Sequence, residues 1–230
     1  MDVIFFLKDR TAFIHQLYCV TSTPYIERIQ KIENEEDPFV PFYSGGECDG
    51  EPAFLTEYIE ATKSLDTLRL MYISMLMSAL HLYLKTWTKQ SHIPIIDKLH
   101  KSTFKNKGWF WGYSSHFSHH FNIDFKKAPV DLKILEEIIL ARNNIEHQSS
   151  IAGRPKYRVK VYKNLKSLSY IDEFSNHLLR EIGFGTFSAP CVKVTEEQLI
   201  EAISTIEKFA EWFDSELEPQ IYPSRAKMKE

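Results

Sequence analysis

The spacing of apolar residues along the chain predicts a helix in residues 2–20. Apolar side chains recur there at intervals of three, four and seven residues, which places them on one face of a helix. A face of this kind packs against neighbouring helices in a bundle. The residues expected on this buried face are Val3, Phe6, Phe13, Leu17 and Val20.

The chain next carries signals for a break and for a surface loop. Residues 21–24 combine hydroxyl side chains with a proline, where Thr23 suits an N-cap and Pro24 the first position of a new helix. We therefore expect a short second helix over residues 25–33. Three prolines and three glycines then fall in residues 34–52, a composition that predicts a surface loop.

A long central helix is predicted from residue 53 to about residue 88, because this stretch contains neither glycine nor proline. Its most apolar part, residues 70–84, is shorter than the roughly 20 residues that a membrane span needs, and it contains His81. We interpret it as the buried centre of a helix bundle and expect no membrane association. Its apolar stripe is formed by Tyr58, Leu65, Leu68, Tyr72, Met75, Ala79 and Tyr83.

Residues 91–127 are rich in aromatic side chains that alternate with histidines. Three of these histidines, His116, His119 and His120, lie close enough in sequence to raise the possibility of a metal site. Their spacing matches none of the common zinc patterns, so we expect no metal. The segment is instead interpreted as an aromatic-rich loop or short helix that packs on the bundle. It is locally basic because of Lys98, Lys101, Lys105 and Lys107.

A further helix and a small ribbon are predicted after residue 129. The helix covers residues 130–149, and its buried side is formed by Leu132, Leu135, Ile138, Ile139 and Ile145. Cations then alternate with apolar residues in residues 154–161, which is the period of a half-buried strand. Residues 191–194 are the predicted partner strand. Between the two strands, residues 170–182 are expected to form a short helix.

The last predicted helix begins with a capping box, formed by Thr195 and Gln198, and covers residues 196–217. Pro219 is expected to end it, and residues 219–230 are expected to form a disordered tail. The fold class that follows is all-α, a single helical domain over residues 1–230 with a small two-stranded β-ribbon.

Length, composition and charge restrict the function classes. A chain of 230 residues with 43% hydrophobic content suits one domain with one core. A net charge of −3 argues against binding nucleic acid through overall charge, so any RNA contact must be local. Three widely spaced cysteines predict free thiols and a cytoplasmic location. The sequence carries no P-loop, serine-hydrolase or dinucleotide-binding motif, which argues against those enzyme classes.

The most informative stretch is residues 140–148, at the end of the helix predicted over residues 130–149. Arg142, the polar Asn143 and then His147, four residues further on, resemble the signature of the HEPN superfamily. The resemblance implies a HEPN-like helical bundle that is usually dimeric, in a family of which many members cut RNA without a metal. It also implies that Arg142 clamps the phosphate and that His147 is the acid and base.

The spacing of Arg142 and His147 limits how they can cooperate. Five residues correspond to about 140° around an ideal helix, so the two side chains cannot face one site within a regular helix. Either the helix loosens near His147, or a second copy of the chain completes the site. The HEPN resemblance implies the second alternative, a homodimer in which paired motifs line a cleft.

Two neighbouring side chains are expected to support the motif. Asn143 precedes His147 by four residues and is placed to hold its ring, while Glu146 follows Arg142 by four residues and is placed to brace the guanidinium. An alternative interpretation is an ordinary surface ion pair between Arg142 and Glu146, with His147 acting only as a favourable cation at the end of a helix.

We expect a metal-independent endoribonuclease of toxin or phage-defence type, with RNA as substrate and a protein antitoxin or regulator as a candidate partner. Attack of a ribose 2′-hydroxyl on the adjacent phosphate would leave a 2′,3′-cyclic phosphate, and no cofactor is expected. The cations on the predicted strand are Arg154, Lys156, Arg158 and Lys160. They are candidates to guide RNA; the alternative is that they form a solvated strand face. The alternative function is a catalytically inactive HEPN-like dimer that serves as a binding or scaffold module.

Overall fold

The computed structural model describes residues 2–41, 52–95, 98–146, 169–172, 177 and 191–223. Six α-helices lie in this part of the chain: α1 (Val3–Glu33), α2 (Leu55–Gln90), α3 (Lys98–Lys107), α4 (Trp109–Phe121), α5 (Leu132–Glu146) and α6 (Glu196–Ile221). A 3-10 helix, Phe125–Lys127, precedes α5. The predicted helical class is confirmed.

Helices α1 and α2 form a long antiparallel hairpin. Where α1 ends and α2 begins, the hydroxyl of Tyr58 in α2 donates to Glu33 in α1 over 3.2 Å. In its middle, the rings of Tyr18 and Tyr72 meet edge to face at 5.6 Å, and the hydroxyls of Tyr72 and Thr21 lie 2.9 Å apart. Since α2 also contacts α4, α5 and α6, it is the central helix of the bundle.

The break predicted at residues 21–24 is wrong, because α1 continues through Pro24 as one helix. A proline inside a helix removes one backbone donor and crowds the carbonyl one turn earlier. The hydroxyl of Thr21 donates to Leu17 O at 2.8 Å and that of Thr23 to Cys19 O at 2.7 Å, so Thr23 is an interior residue and not an N-cap. Packing against α2 before and after the proline favours a continuous helix over a break.

The buried face of α1 also differs from the prediction. Val3 is buried as predicted and Leu17 is half-buried, but Phe6, Phe13 and Val20 are exposed, and a second stripe at similar spacing is buried in their place. The reason lies in α6, where Glu207 accepts a hydrogen bond from the small side chain of Thr11, which allows the two helices to approach closely. The buried stripe consists of Val3, Leu7, Thr11, Ile14, Tyr18 and Ser22.

Helix α2 begins and ends within two residues of the predicted bounds, and its central position is confirmed. Within the predicted stripe, Met75 is exposed and Tyr58 and Leu68 are half-buried. The buried members are Leu65, Tyr72, Ala79 and Tyr83. Of the described helices, α2 is long and apolar enough by composition to cross a membrane, and 44% of its most apolar window is buried in the bundle. Such a composition is also expected of a helix with neighbours on several sides.

Two short helices occupy much of the aromatic segment, in agreement with the short-helix alternative. Gly108 connects α3 to α4 at a φ of +90°, a conformation that favours glycine over any other residue. Asn122 ends α4 in the left-handed region, and the hydroxyl of Ser118 donates to Ile123 O at 2.7 Å. The bundle buries the side chains of Phe110, Tyr113 and Phe117 from α4.

Helix α6 supplies much of the apolar core. The rings of Phe209 and Phe213 stack on each other at 5.9 Å, and both contact the ring of Phe125. Phe117 of α4 meets Phe213 edge to face at 4.9 Å. Of the stripe predicted on α5, Leu135, Ile138 and Ile139 are buried, whereas Leu132 and Ile145 are half-buried against the core.

The start of α6 is confirmed and its end is not. Both hydrogen bonds of the capping box between Thr195 and Gln198 are present. The helix passes Pro219, which was expected to end it, and continues to Ile221. A proline in the last turn removes only one helical hydrogen bond, and Tyr222 anchors this end through a 2.8 Å bond from its hydroxyl to Gln90.

The predicted ribbon stays a prediction. Its first strand, residues 154–161, lies outside the described residues, and the described part of the chain contains no strand. Val192 pairs with Ile171 in an isolated antiparallel bridge. The short helix predicted over residues 170–182 is wrong at its first two residues. Tyr170 lies in a turn and its C=O accepts from Lys193 N–H over 3.3 Å, and Ile171 forms the bridge.

Candidate functional site

Arg142 and Asn143 lie in the last turn and a half of α5, and both side chains are partly buried. They follow Leu135, Ile138 and Ile139, whose burial fixes the orientation of the helix and turns residue 142 towards the edge of the core. The guanidinium Nη1 of Arg142 donates to Asn143 Oδ1 over 3.1 Å. Asn143 therefore orients the arginine in this structure.

The remaining residues of the motif lie at the end of α5 or outside the described part of the chain. His147 and the cation row at Arg154, Lys156, Arg158 and Lys160 lie outside the described residues. For Glu146 only the backbone is described, as the last residue of α5. The contacts predicted from Asn143 to His147 and from Glu146 to Arg142 thus stay predictions.

Asn144, between the motif residues, is buried and has a local role. Its side-chain Nδ2 donates to Leu140 O over 2.6 Å, one turn earlier in α5. A buried amide that bonds to its own helix is a structural feature, because it satisfies a polar group inside the core. It gives this end of α5 a defined geometry next to Arg142.

The structure brings a second histidine to this region, His81 of α2. Its ring stacks on Trp109 at 4.8 Å, and Tyr113 Oη lies 3.4 Å from its Nε2. Burial lowers the pKa of His81, and the positive charges of Lys85 and Arg142 lower that pKa further. The imidazole is therefore neutral at neutral pH, and Arg142 is near enough to repel its protonated form.

Helix α4 holds this arrangement between α2 and α5. The Trp111 indole N–H donates to Glu136 of α5 over 3.0 Å, and α4 places Trp109 and Tyr113 against His81 of α2. Burial raises the pKa of Tyr113, so its hydroxyl keeps its proton and is able to donate a hydrogen bond. The result is a cation, a neutral imidazole and a phenol on three helices.

The three histidines of α4 differ in their solvent exposure. His116 is buried, whereas His119 and His120 are exposed, and the rings of His116 and His120 lie 4.8 Å apart. Within the described ranges, no group of three or more His, Cys, Asp or Glu side chains is arranged to hold a metal ion. The rings of these histidines contact each other and Phe117, as expected of aromatic packing.

Comparison of this chain with family models, with curated proteins and with solved structures gives no match. Its function must therefore be argued from its own residues.

Arg142 is predicted from the sequence as a site residue, whereas His81 is not. Within α2, His81 is one polar residue in an apolar stretch, and nothing in its local spacing distinguishes it from a satisfied core histidine. Its importance arises from Trp109 and Tyr113, which are about thirty residues away and approach it only because α4 packs across α2. No signal local to α2 would have revealed the pair.

Proposed function

We propose that this protein is a metal-independent endoribonuclease of toxin or phage-defence type. The observation that carries the proposal is the position of Arg142 near His81, beside the rings of Trp109 and Tyr113. Cleavage of RNA by internal attack needs a cation for the phosphate and a group that accepts a proton. Aromatic surfaces next to them favour the stacking of an unpaired base.

The reaction needs no metal and no cofactor. A base removes the proton of a ribose 2′-hydroxyl, whose oxygen attacks the adjacent phosphorus, and the bond from phosphorus to the 5′ oxygen breaks. An acid protonates that leaving oxygen, which gives one product ending in a 2′,3′-cyclic phosphate and one starting with a 5′-hydroxyl. Arg142 stabilises the crowded phosphate, because a guanidinium binds two phosphate oxygens at once.

Two histidines are candidates for the proton transfers. The HEPN resemblance gives this role to His147. His81 is a further candidate for the base, because its lowered pKa keeps the imidazole unprotonated near neutral pH. If His81 is the base, the midpoint of the acid limb of the pH–rate profile should lie below the ordinary histidine pKa. This midpoint should shift when His81 is replaced by Gln.

The assembly and location belong to the same proposal. RNA is the substrate, a homodimer with paired Arg142 motifs is the assembly, and a protein antitoxin or regulator is a candidate partner. The cytoplasm is the proposed location, where RNA is available. The cations at Arg154, Lys156, Arg158 and Lys160 are proposed to guide the RNA strand towards the site.

The decisive experiment is incubation of the purified protein with mixed RNAs in EDTA, followed by analysis of the product ends. Wild-type protein should produce 2′,3′-cyclic phosphate, and Arg142→Ala and His147→Ala should each abolish cleavage without loss of helical structure. The matched control is His15→Ala, which removes an exposed histidine of α1 and should leave cleavage unchanged.

Other outcomes would redirect the proposal. Cleavage that survives His147→Ala, or that needs a divalent ion, would shift the site to His116, His119 and His120. A folded wild-type protein that cuts no RNA would favour the catalytically inactive HEPN-like module, which binds or organises a partner without chemistry.

A further inference from the structure

Trp109, the first residue of α4, forms a stack of two rings with His81 of α2. The ring centroids lie 4.8 Å apart, and the ring planes are inclined by 19°. Phe110 and Tyr113 approach the same indole edge to face, at 6.1 and 6.4 Å. Trp109 is half-buried, and no described ring stacks on the side of the indole opposite His81. We call the two stacked rings the Trp109–His81 platform.

The platform is held in place from below and from the side. Tyr113 Oη lies 3.4 Å from His81 Nε2, and the ring of Tyr113 is itself packed edge to face against Phe104 of α3 at 5.0 Å. Gly108, at a φ of +90°, fixes the turn from α3 into Trp109. A surface whose rings are already fixed loses little conformational entropy when a ligand binds. The platform is thus prepared to receive a third flat ring.

The charges around the platform are positive, although the whole chain has a net charge of −3. Lys85 follows His81 by four residues, which places it on the same side of α2, and it is exposed. The charges that act on His81 are those of Lys85 and of Arg142 in α5. Lys107, also exposed, ends α3 two residues before Trp109. Neither lysine forms a salt bridge with another described residue, so both are available to an anion.

A flat aromatic surface beside exposed cations matches the chemistry of a nucleotide, which joins a flat base to a phosphate. Stacking on an aromatic side chain suits every base, because each base has a π face. The bases of a duplex are stacked on one another, whereas the bases of a single strand are able to turn outward onto a protein ring. The platform therefore favours an unpaired nucleotide over a base-paired one.

We propose that the Trp109–His81 platform binds one unpaired nucleotide of single-stranded RNA. The base stacks on Trp109, and the phosphates on its two sides are held by Arg142 and Lys85. The inference rests on the proposed nuclease function, because it assigns a substrate subsite next to Arg142. Trp109 is a binding residue in this arrangement: it selects unpaired RNA and takes no part in the proton transfers.

The test is the binding of a 2′-O-methyl oligoribonucleotide of about eight nucleotides to the full chain. This probe cannot be cleaved, because the attacking 2′-hydroxyl is blocked. A base that stacks on an indole quenches its emission, so the probe should quench the tryptophan fluorescence of the wild-type protein to saturation. Trp109→Phe should lose this quenching. It should keep most of the affinity, measured by anisotropy of a labelled probe, since a phenyl ring still stacks.

Two further variants separate stacking from charge. Trp109→Ala should lower the affinity by roughly tenfold or more and leave its salt dependence unchanged, because stacking releases no counterions. Lys85→Gln should instead flatten the salt dependence, by about 0.7 in the slope of log affinity against log salt concentration. Circular dichroism should show that both variants keep the helical content of the wild-type protein.

Matched controls exist for both kinds of residue. Trp212 is a half-buried tryptophan of α6 that packs against Phe125 and Phe209, and Trp212→Phe should still be quenched by the probe. Lys63 is exposed on the same helix as Lys85 but lies about 27 Å from His81, at 1.5 Å per residue. Lys63→Gln should leave the salt dependence unchanged.

Several results would overturn the proposal. Quenching that persists in Trp109→Phe would show that the base stacks elsewhere, and a wild-type protein that does not bind the single strand would exclude the subsite. A duplex of the same sequence, or adenosine monophosphate, that binds as tightly as the single strand would mean that the ligand is not an unpaired nucleotide of RNA.

Cleavage of ordinary RNA, measured separately, distinguishes this failure from failure of the nuclease proposal. A protein that cuts RNA but binds the probe independently of Trp109 keeps the nuclease function and loses the platform. A protein that binds the probe through Trp109 and cuts no RNA keeps the platform and loses the nuclease function.

Discussion

Replacement of Asp214 by Asn should remove part of the pH dependence of stability. The Asp214 carboxyl group is partly buried on α6, and the hydroxyl of Tyr83 donates to it over 3.2 Å. The same hydroxyl lies 3.1 Å from Ala210 O, so one proton serves two acceptors while Asp214 is ionised. A protonated Asp214 is able to donate to Tyr83 and leave the tyrosine proton to Ala210.

The expected magnitude follows from the pKa of Asp214. Burial raises this pKa from 3.8 to about 6, although the hydrogen bond from Tyr83 lowers it in part. The folded state thus holds the proton more tightly than the unfolded state, and the free energy of unfolding falls as pH rises from about 4 to above 6. The full shift corresponds to about 3 kcal/mol, which partial solvent access reduces to about 1–2 kcal/mol.

The assay is urea unfolding of wild-type protein and Asp214→Asn at pH 4, 5, 6 and 7, followed by circular dichroism. Asn stays neutral and still accepts from Tyr83, so the variant should gain about 1–2 kcal/mol over wild type between pH 4 and pH 7. Other titrating groups are common to both proteins and cancel in the difference.

Glu216→Gln provides the control, because it removes an exposed carboxylate from the same helix. Its stability difference from wild type should stay constant across this pH range. A constant difference for Asp214→Asn as well would refute the reasoning, since it would mean that burial does not alter the proton affinity of this group on folding.

Two further predictions concern the cap of α6 and the cation row. Thr195→Ala removes the side chain that caps α6 and should lower stability by about 1 kcal/mol, seen as a fall in Tm of about 2–4 °C; an unchanged Tm would mean that the cap contributes nothing. Replacing all four cations by Gln should weaken RNA binding and flatten its salt dependence by about 0.7 log units per lost contact. The four cations are Arg154, Lys156, Arg158 and Lys160. Cleavage of saturating RNA should persist in this variant. An unchanged salt slope would show that these cations are a surface feature only.

The elements that were predicted well carry their signals locally. The long stretch without glycine or proline defined α2 to within two residues, and the Thr195–Gln198 pair defined the start of α6. The apolar side of α5 was also predicted, because Leu135, Ile138 and Ile139 share one helical face. In each case the deciding residues lie within one helix.

The errors arose where distant residues decide the outcome. Helix α1 has two apolar stripes with similar spacing, and its own sequence does not select between them. Which stripe is buried depends on α6, where Glu207 accepts a hydrogen bond from Thr11. It also depends on α2, which packs along α1 on both sides of Pro24. The expectation that Pro219 ends α6 failed for a similar reason, since Tyr222 is held by Gln90 of α2.

The candidate site shows the same division. Arg142 was found because its motif lies within a few residues of sequence, whereas His81 became relevant only when α4 placed Trp109 against it. The spacing of residues along one helix does not show which residues of another helix will pack against it. A polar residue inside an apolar helix is therefore best judged after its packing partners are known.

The position of α6 in the chain has a consequence for synthesis. This helix follows the other described helices in sequence, yet Leu199, Ile206, Phe209 and Phe213 are fully buried in their shared core. Until the ribosome has made α6, no described helix covers the apolar surface of α1 and α2 that α6 will occupy. Growing chains should therefore stay open and prone to aggregation late into translation, and chaperones that bind exposed apolar segments should associate with chains that end before residue 196.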